Sequence, residues 1–231
     1  MRRLIVLVAL LASACGGSTT APSTPPVTSS STTTTTSIPV IQTIQVAACP
    51  PAVVGFDMTF FHQFACDTYD RPASPQPTRR WTKAPNIYLR TLDDAGAAID
   101  ANTLDSTERA ITDTLPLWSG YRATVTRGAD SRIGQPGWIT VIWKSDASQA
   151  ICGLSDVATD GGQVGLFYRR GGGCRCPGGP EITPRTVKHE LGHAMGYYHT
   201  DNTADLMAPG VAGCDAQPSG RELQAAAYQY R

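Results

Sequence analysis

The sequence predicts a mixed α/β (α+β) domain, and three features of its hydrophobic pattern predict it. The stretch from Asn86 to Leu92 alternates apolar and polar residues, which is typical of a half-buried strand. Four apolar residues between Leu104 and Trp118 lie seven, four and three positions apart, on one face of a helix. Ser219 and Glu222 have the spacing of a capping box, which begins a C-terminal helix.

The predicted elements run in the order strand, helix, strands, helix and C-terminal helix, which is a mixed plan with a twisted sheet. Asp105 with Glu108 three residues later resembles a capping box, so we place the start of the first helix there. Pro116 should loosen or end the last turn of that helix. The other predicted strands are residues 123–126, 138–144 and 163–169, and the other predicted helix is residues 186–195.

The first 14 residues have the composition of a secretory signal peptide. Two arginines precede an apolar run from residue 4 to residue 11, which is too short to span a membrane. Two alternatives stay open, because residues 12–14 fit ordinary secretion, while the same residues before Cys15 resemble the lipobox of a bacterial lipoprotein. The chain has seven cysteines, so lipidation of Cys15 would leave six that can pair evenly. We therefore favour an extracytoplasmic lipoprotein, with plain secretion as the alternative.

Composition divides the rest of the chain into three segments. Residues 15–40 are almost all Thr, Ser, Pro and Gly, without charge, and such a sequence cannot offset its conformational entropy by packing. We interpret them as a disordered linker that follows the lipid anchor. Residues 41–80 mix short apolar runs with Pro-rich turns and are interpreted as a small N-terminal appendage. Residues 81–231 carry the regular pattern of the main domain.

Charge excludes one class of function. The formal net charge is zero, with 19 basic and 19 acidic residues, and no basic cluster is longer than a pair. Proteins that bind nucleic acid concentrate positive charge on one face, so we expect no nucleic-acid partner.

The cysteines after Cys15 suggest three disulfide bonds. Cys174 and Cys176 are too close in sequence to bridge each other without strain. We expect one of the two to pair with Cys152 and the other with Cys214. This choice, one of many connectivities, leaves a bridge between Cys49 and Cys66.

Residues 189–199 read HELGHAMGYYH and contain three of the four histidines of the chain. His189 and His193 are four apart, so on a helix both rings project from one face and can take two corners of a tetrahedral metal site. Glu190 is placed to reach a water molecule rather than the metal. Gly196 can adopt the left-handed conformation that ends a helix. The resulting turn would bring His199 back to the same metal, which a straight helix would not.

The pattern H-E-x-x-H-x-x-G-x-x-H is the signature of the metzincin zinc metallopeptidases, and this sequence resembles that clan. Met207, eight residues after His199, resembles the Met-turn that supports the metal site. The separation of eight is similar to that in the matrixin branch, although Thr200 and Asp205 depart from the residues usual there. The resemblance covers residues 81–231 and implies a metzincin-like catalytic domain.

The resemblance implies a zinc-dependent endopeptidase with one catalytic zinc bound by His189, His193 and His199. Glu190 would act as general base toward a zinc-bound water, and Met207 would support the site. Two alternatives stay open. One is a non-catalytic, surface-anchored, zinc-containing binding module, and the other is a zinc amidase that acts on cell-wall peptides. Pro209 occupies the position where some metzincins carry a tyrosine near the metal, so no tyrosine ligand is expected.

Substrate, ions and partners follow from the same resemblance. The strand before the active-site helix, residues 163–169, is expected to be the edge strand that pairs with extended substrate, although no substrate-binding side chain can be named. Calcium could bind through Asp156 and Asp160, but no fixed spacing supports such a site. With only His62 left, a second histidine-rich site is not expected. The expected partners are a protein or peptide substrate and a membrane contacted only through the lipid, with the protein a monomer.

Overall fold

We describe the fold from a computed structural model of the chain. The structure describes residues 43–146, 151–168, 174, 179–180, 182–210 and 213–231. The described residues all belong to one compact unit, Val40–Arg231. The predicted signal peptide, Cys15 and the linker lie outside the described residues. Of the helices in the described ranges, none combines the length and the apolar character that crossing a membrane requires.

Within these ranges the chain forms four helices and seven strands, an α+β fold as predicted. The helices are α1 (Met58–Cys66), α2 (Ala101–Ser119), α3 (Pro184–Met195) and α4 (Gly220–Gln229). The strands are β1 (Ile44–Ala47), β2 (Thr78–Trp81), β3 (Asn86–Asp93), β4 (Thr124–Gly128), β5 (Trp138–Lys144), β6 (Gly153–Ser155) and β7 (Gln163–Phe167). The strand and helix order predicted from residue 86 onward is confirmed, with the addition of β6.

The main sheet has five strands in the order β4-β3-β5-β7-β6. Neighbouring strands are parallel except β6, which runs antiparallel to β7. The expectation that residues 163–169 form the edge strand is therefore wrong, because β7 lies between β5 and β6 and the edge is Gly153–Ser155. Arg169, the last residue of the predicted strand, lies outside the described residues. A strand of only three residues is too short to show an alternating pattern, which explains the error.

Helix α2 begins earlier than predicted. Its N-cap is Asp100, whose carboxylate accepts a hydrogen bond from the backbone N–H of Thr103 at 2.9 Å. Asp105 and Glu108 instead lie on the first turns of the helix and bind Arg127 of β4, at 2.8 and 2.6 Å. The expected capping box at Asp105 is therefore wrong, because an earlier aspartate takes the cap and the helical face continues from it.

Pro116 does not end α2. Pro116 lies inside the last turn, and the helix continues past it to Ser119. Gly120 then takes a left-handed conformation and donates its N–H to the carbonyl of Pro116 at 2.8 Å. Proline has no N–H to donate to the carbonyl four residues earlier, but its own carbonyl still accepts the N–H of the C-cap residue.

The segment 41–80 does not form a separate appendage. Phe60, Phe61 and Phe64 of α1 are buried in the hydrophobic core. Strand β2, which crosses the expected boundary at residue 80, pairs with β1 in a two-stranded antiparallel sheet. A helix with three phenylalanines has a large apolar area to remove from water, and a small independent segment could not bury it alone.

Two of the three predicted disulfide bonds are confirmed. Cys49 is bonded to Cys66, and Cys152 is bonded to Cys174. Cys214 is also disulfide-bonded. Because Cys174 takes Cys152, the prediction leaves Cys176 as the partner of Cys214, and Cys176 lies outside the described residues. Disulfide bonds form and persist in oxidising compartments, which agrees with an extracytoplasmic location.

Candidate metal centre

Helix α3 holds the first part of the histidine motif. Thr183 caps its N-terminus by accepting the N–H of Thr186 at 3.1 Å, and Pro184 occupies the first helical position, where no N–H is needed. The helix ends at Gly196, which has φ 110° and a left-handed conformation. A Cβ at this position would also lie less than 3.0 Å from the carbonyl oxygen of Arg79, so both the turn and the close packing require glycine. The predicted turn is therefore confirmed.

The turn brings the three histidines together. One ring nitrogen from each of His189, His193 and His199 can be chosen so that all three lie within 4.8 Å of one another. The Nε2 atoms of His193 and His199 are 3.3 Å apart. Two corners of a tetrahedral site with zinc–nitrogen bonds of 2.0–2.1 Å are separated by about 3.3 Å. In the part of the chain that the structure describes, this is the group of side chains that could hold a metal ion.

Backbone carbonyls fix the orientation of two of the rings. The Nδ1 of His189 lies 2.7 Å from the carbonyl oxygen of Leu206, and the Nδ1 of His193 lies 2.7 Å from that of Tyr197. A carbonyl oxygen can only accept, so each Nδ1 carries the proton and each Nε2 presents a lone pair. This is the arrangement that metal-binding histidines adopt.

The third ring is oriented by a side chain instead. The Nδ1 of His199 lies 2.7 Å from the Oδ2 atom of Asp70, in the loop after α1. Its other ring nitrogen, Nε2, faces that of His193 at 3.3 Å. Two imidazole nitrogens lie this close when a proton or a metal ion is placed between them. The donor set therefore fits a metal ion that prefers imidazole ligands.

The charge state of the histidines agrees with this fit. The pKa of His189 is lowered to about 4, chiefly by burial, with the hydrogen bond to the Leu206 carbonyl opposing the change and the charges of His199 and Arg185 adding to it. Burial and the two neighbouring imidazoles hold the pKa of His193 well below its ordinary value. Both rings are therefore neutral at pH 7, and a neutral imidazole is the form that binds metal.

Glu190 lies beside the histidines and contacts the edge strand. Its side chain is buried, and its Oε2 accepts a hydrogen bond from the Oγ of Ser155 at 2.9 Å. A Cβ on Gly153 would lie less than 3.0 Å from the carboxylate, so glycine at this position of the edge strand leaves room for the side chain of Glu190. Burial raises the pKa of Glu190 to about 7, and the bonds to Ser155 and the charge of Arg185 oppose that rise.

Met207 lies in the core beneath α3. It is fully buried, and its Sδ occupies the space that a Cβ on Gly192 would need. The carboxylate of Glu222 accepts the backbone N–H groups of Leu206 and Met207, at 3.0 and 2.8 Å, together with that of Ser219 at 2.6 Å. The predicted capping box of α4 is confirmed, and its glutamate also holds the turn that contains Met207.

Asp205, which departs from the matrixin pattern, has a structural role. It is buried and accepts hydrogen bonds from the hydroxyls of Thr200 and Ser219, at 2.9 and 2.8 Å. It also forms an ion pair with Arg221, whose Nε lies 3.0 Å from its Oδ1. The two departures noted in the sequence, Thr200 and Asp205, thus bind each other and join the Met207 turn to α4.

The remaining residues considered in the sequence lie outside the histidine cluster. His62 binds the carbonyl oxygen of Pro50 at 2.8 Å, and Pro209 is exposed. Asp156 and Asp160 each accept a backbone N–H, from Gln163 at 3.0 Å and Gly137 at 2.6 Å. The hydrogen bonds of these two aspartates stabilise loops beside the sheet.

Sequence reasoning missed Asp70, Ser155 and the second role of Glu222. Asp70 is 129 positions from His199, and no spacing links the two.

Comparison of the chain with protein-family models gives no match, and comparison with curated proteins gives none at a significant level. The geometry of the site is therefore the basis for assigning a function.

Proposed function

We propose that the protein is a zinc-dependent endopeptidase, with His189, His193 and His199 as the zinc ligands and Glu190 as the general base. The observation that carries the proposal is the convergence of three imidazoles, each with its Nδ1 engaged, beside a buried carboxylate. Structural zinc sites usually close the fourth position with Cys or His, whereas catalytic sites with three protein ligands leave it open. In the described residues no fourth His, Cys or acidic side chain joins the group.

The chemistry divides between the metal and the chain. A zinc ion held by three neutral imidazoles supplies a Lewis acid, which acidifies a water molecule and polarises a carbonyl. Glu190 accepts the proton of the attacking water and returns it to the leaving amine. Burial raises the pKa of this carboxyl group, which favours uptake of the proton. Ser155 holds the carboxylate on the side of the edge strand.

We propose that the edge strand β6 binds the substrate. In the sheet order, one side of Gly153–Ser155 pairs with β7 and the other is the edge of the sheet. An extended peptide can add to such an edge through its backbone, which recognises a peptide chain whatever its side chains are. Because Glu190 contacts two of the three residues of β6, a peptide on this edge would pass the general base.

The test is to incubate the full mature protein with an unfolded protein substrate, with and without a chelator. We expect fragments that disappear with the chelator and return when zinc is added. The variant Glu190→Gln should lose cleavage by at least about 100-fold while it keeps its zinc, since only the proton acceptor is removed. Intact substrate with zinc-loaded wild-type protein would overturn the endopeptidase proposal and favour a binding module. Cleavage only of peptidoglycan-derived peptides would favour a cell-wall amidase.

We further propose that the mature protein is a lipoprotein anchored through Cys15, after removal of residues 1–14. Cysteine count supports this, because Cys49, Cys66, Cys152, Cys174 and Cys214 are all disulfide-bonded and a lipidated Cys15 would not compete with them. Labelling with a fatty-acid probe tests it. We expect label on the wild type and none on Cys15→Ser, and equal absence of label on both would favour plain secretion.

A further inference from the structure

Asp70 differs in kind from the groups that orient the other two histidines. His189 and His193 are held by backbone carbonyls, which remain present when the side chain of the residue that carries them is replaced. His199 is held by a carboxylate side chain on a loop 129 positions earlier. The side chains of His199 and Asp70 are 27% and 46% exposed, so water could also reach this ring nitrogen. The orientation of the third ligand thus depends on one replaceable group.

The loop that carries Asp70 is fixed at its start. Helix α1 is followed by its C-cap Asp67, a non-glycine residue in the left-handed conformation with φ 62°. The carboxylate of Asp67 binds Arg71 at 3.2 Å, and the carbonyl of Asp67 accepts the N–H of Arg71 at 2.9 Å. The N–H of Gln76 returns to the carbonyl of Cys66 at 2.7 Å, beside the Cys49–Cys66 disulfide. These bonds close the loop on the end of α1.

The same segment also holds the chain around His199. Phe64 of α1 stacks on Tyr197, with ring centroids 4.4 Å apart. The carbonyl of Phe64 accepts the N–H of Tyr198 at 2.8 Å, and the side chain of Gln63 accepts the N–H of Asp201 at 3.2 Å. Residues on both sides of His199 are therefore bound to α1, and Asp70 adds the contact to the ring itself.

We propose that Asp70 is a positioning residue for His199, so that the loop after α1 contributes to the metal site. The carboxylate selects the tautomer with the proton on Nδ1 and limits rotation of the ring. Asp70 contacts only Nδ1, so it acts through His199 and not as a ligand. This inference rests on the proposed zinc site, but not on peptidase activity.

The test measures zinc affinity by competition with a chromogenic chelator on the full mature protein. We expect Asp70→Ala to bind zinc about 10- to 100-fold more weakly, which is the usual effect of removing such a partner. Asp70→Asn keeps an acceptor but loses the charge, so its affinity should lie between those of the wild type and Asp70→Ala. Asp113→Ala, at an exposed position on α2, is the matched control and should bind like the wild type.

A second measurement separates positioning from folding. The thermal midpoint of the metal-free protein should be similar in Asp70→Ala and Asp113→Ala, because the exposed contact contributes little without metal. Equal zinc affinity in wild type and Asp70→Ala would overturn the inference. If Asp70→Ala does not fold, the zinc affinities of the wild type and Asp70→Asn are compared instead. Equal affinity of these two proteins would overturn the inference. A wild type that binds no zinc would instead contradict the proposed function.

Discussion

The hydroxyl of Ser155 donates a hydrogen bond to the carboxylate of Glu190 at 2.9 Å, which connects the edge strand to the residue assigned as general base. The two residues lie 35 positions apart, on different elements of the fold. Strand β6 thus has two roles at once, because it offers a backbone edge and orients a reactive side chain.

Replacing Ser155 by alanine should lower kcat/KM by about tenfold. A hydrogen bond to a charged group contributes about 1.5–3 kcal/mol, and water can replace part of it here. The loss should lie in kcat, since the backbone of the edge strand is unchanged and zinc content should stay the same. The measurement is steady-state kinetics on a quenched peptide together with zinc analysis. Unchanged kcat in a zinc-loaded variant would show that the hydroxyl does not position Glu190.

Replacing Gly153 by alanine should be more severe. A Cβ there would lie less than 3.0 Å from the Glu190 carboxylate, so the carboxylate must move. A displacement of about 1 Å in a reacting group costs about 100-fold in rate, and we expect at least that loss. Gly220→Ala is the matched control, because a Cβ at Gly220 meets no atom within 4 Å. Wild-type activity in Gly153→Ala would mean that the glutamate can act from elsewhere.

Replacing Gly196 by alanine should lower both stability and zinc affinity. The left-handed conformation costs a non-glycine residue about 1 kcal/mol or more, and the added Cβ would also meet the carbonyl of Arg79. Gly120 has φ 73° and open space around it, so Gly120→Ala should show the conformational cost alone. Urea unfolding of both variants measures the difference. If both lose the same free energy of unfolding and keep zinc, then the close contact at Gly196 is not a constraint.

Replacing Asp100 by alanine should destabilise the protein by about 1 kcal/mol at pH 7, through loss of the N-cap of α2. Burial raises the pKa of Asp100, but hydrogen bonds from Thr103 and nearby backbone groups outweigh it, and the net pKa is lowered. A lowered folded-state pKa gives stability that is present above the unfolded pKa and lost as pH falls through the folded value. The difference between wild type and variant should therefore shrink below about pH 4. A difference independent of pH would show that the charge of Asp100 does not contribute.

The local part of the site could be predicted from the sequence because its geometry is set by spacing along one helix. His189 and His193 share a face of α3 at four positions apart, and Gly196 ends that helix where a left-handed residue is needed. These relations involve neighbours in the chain, so sequence alone determines them. The turn at Met207 was expected only from the resemblance to the metzincins, in which a methionine follows the third histidine at a similar distance.

The rest depends on contacts between distant residues, which no spacing encodes. Asp70 reaches His199 from a segment that composition alone assigned to an appendage. The phenylalanines of this segment predict that it is buried, but they do not identify the part of the protein against which it packs. Strand β6 was missed because three residues are too few for a periodic signal, and the edge was consequently given to β7. Asp100 and Asp105 both fit a helix start, and only packing of the whole helical face decides between them.

The bridge between Cys152 and Cys174 joins the residue just before β6 to the chain that leads into α3. Disulfide bonds form and persist in oxidising compartments and are rare in the cytosol. If the protein is exported as proposed, the covalent tie between the start of β6 and the segment before α3 therefore forms only after the chain has left the cytoplasm.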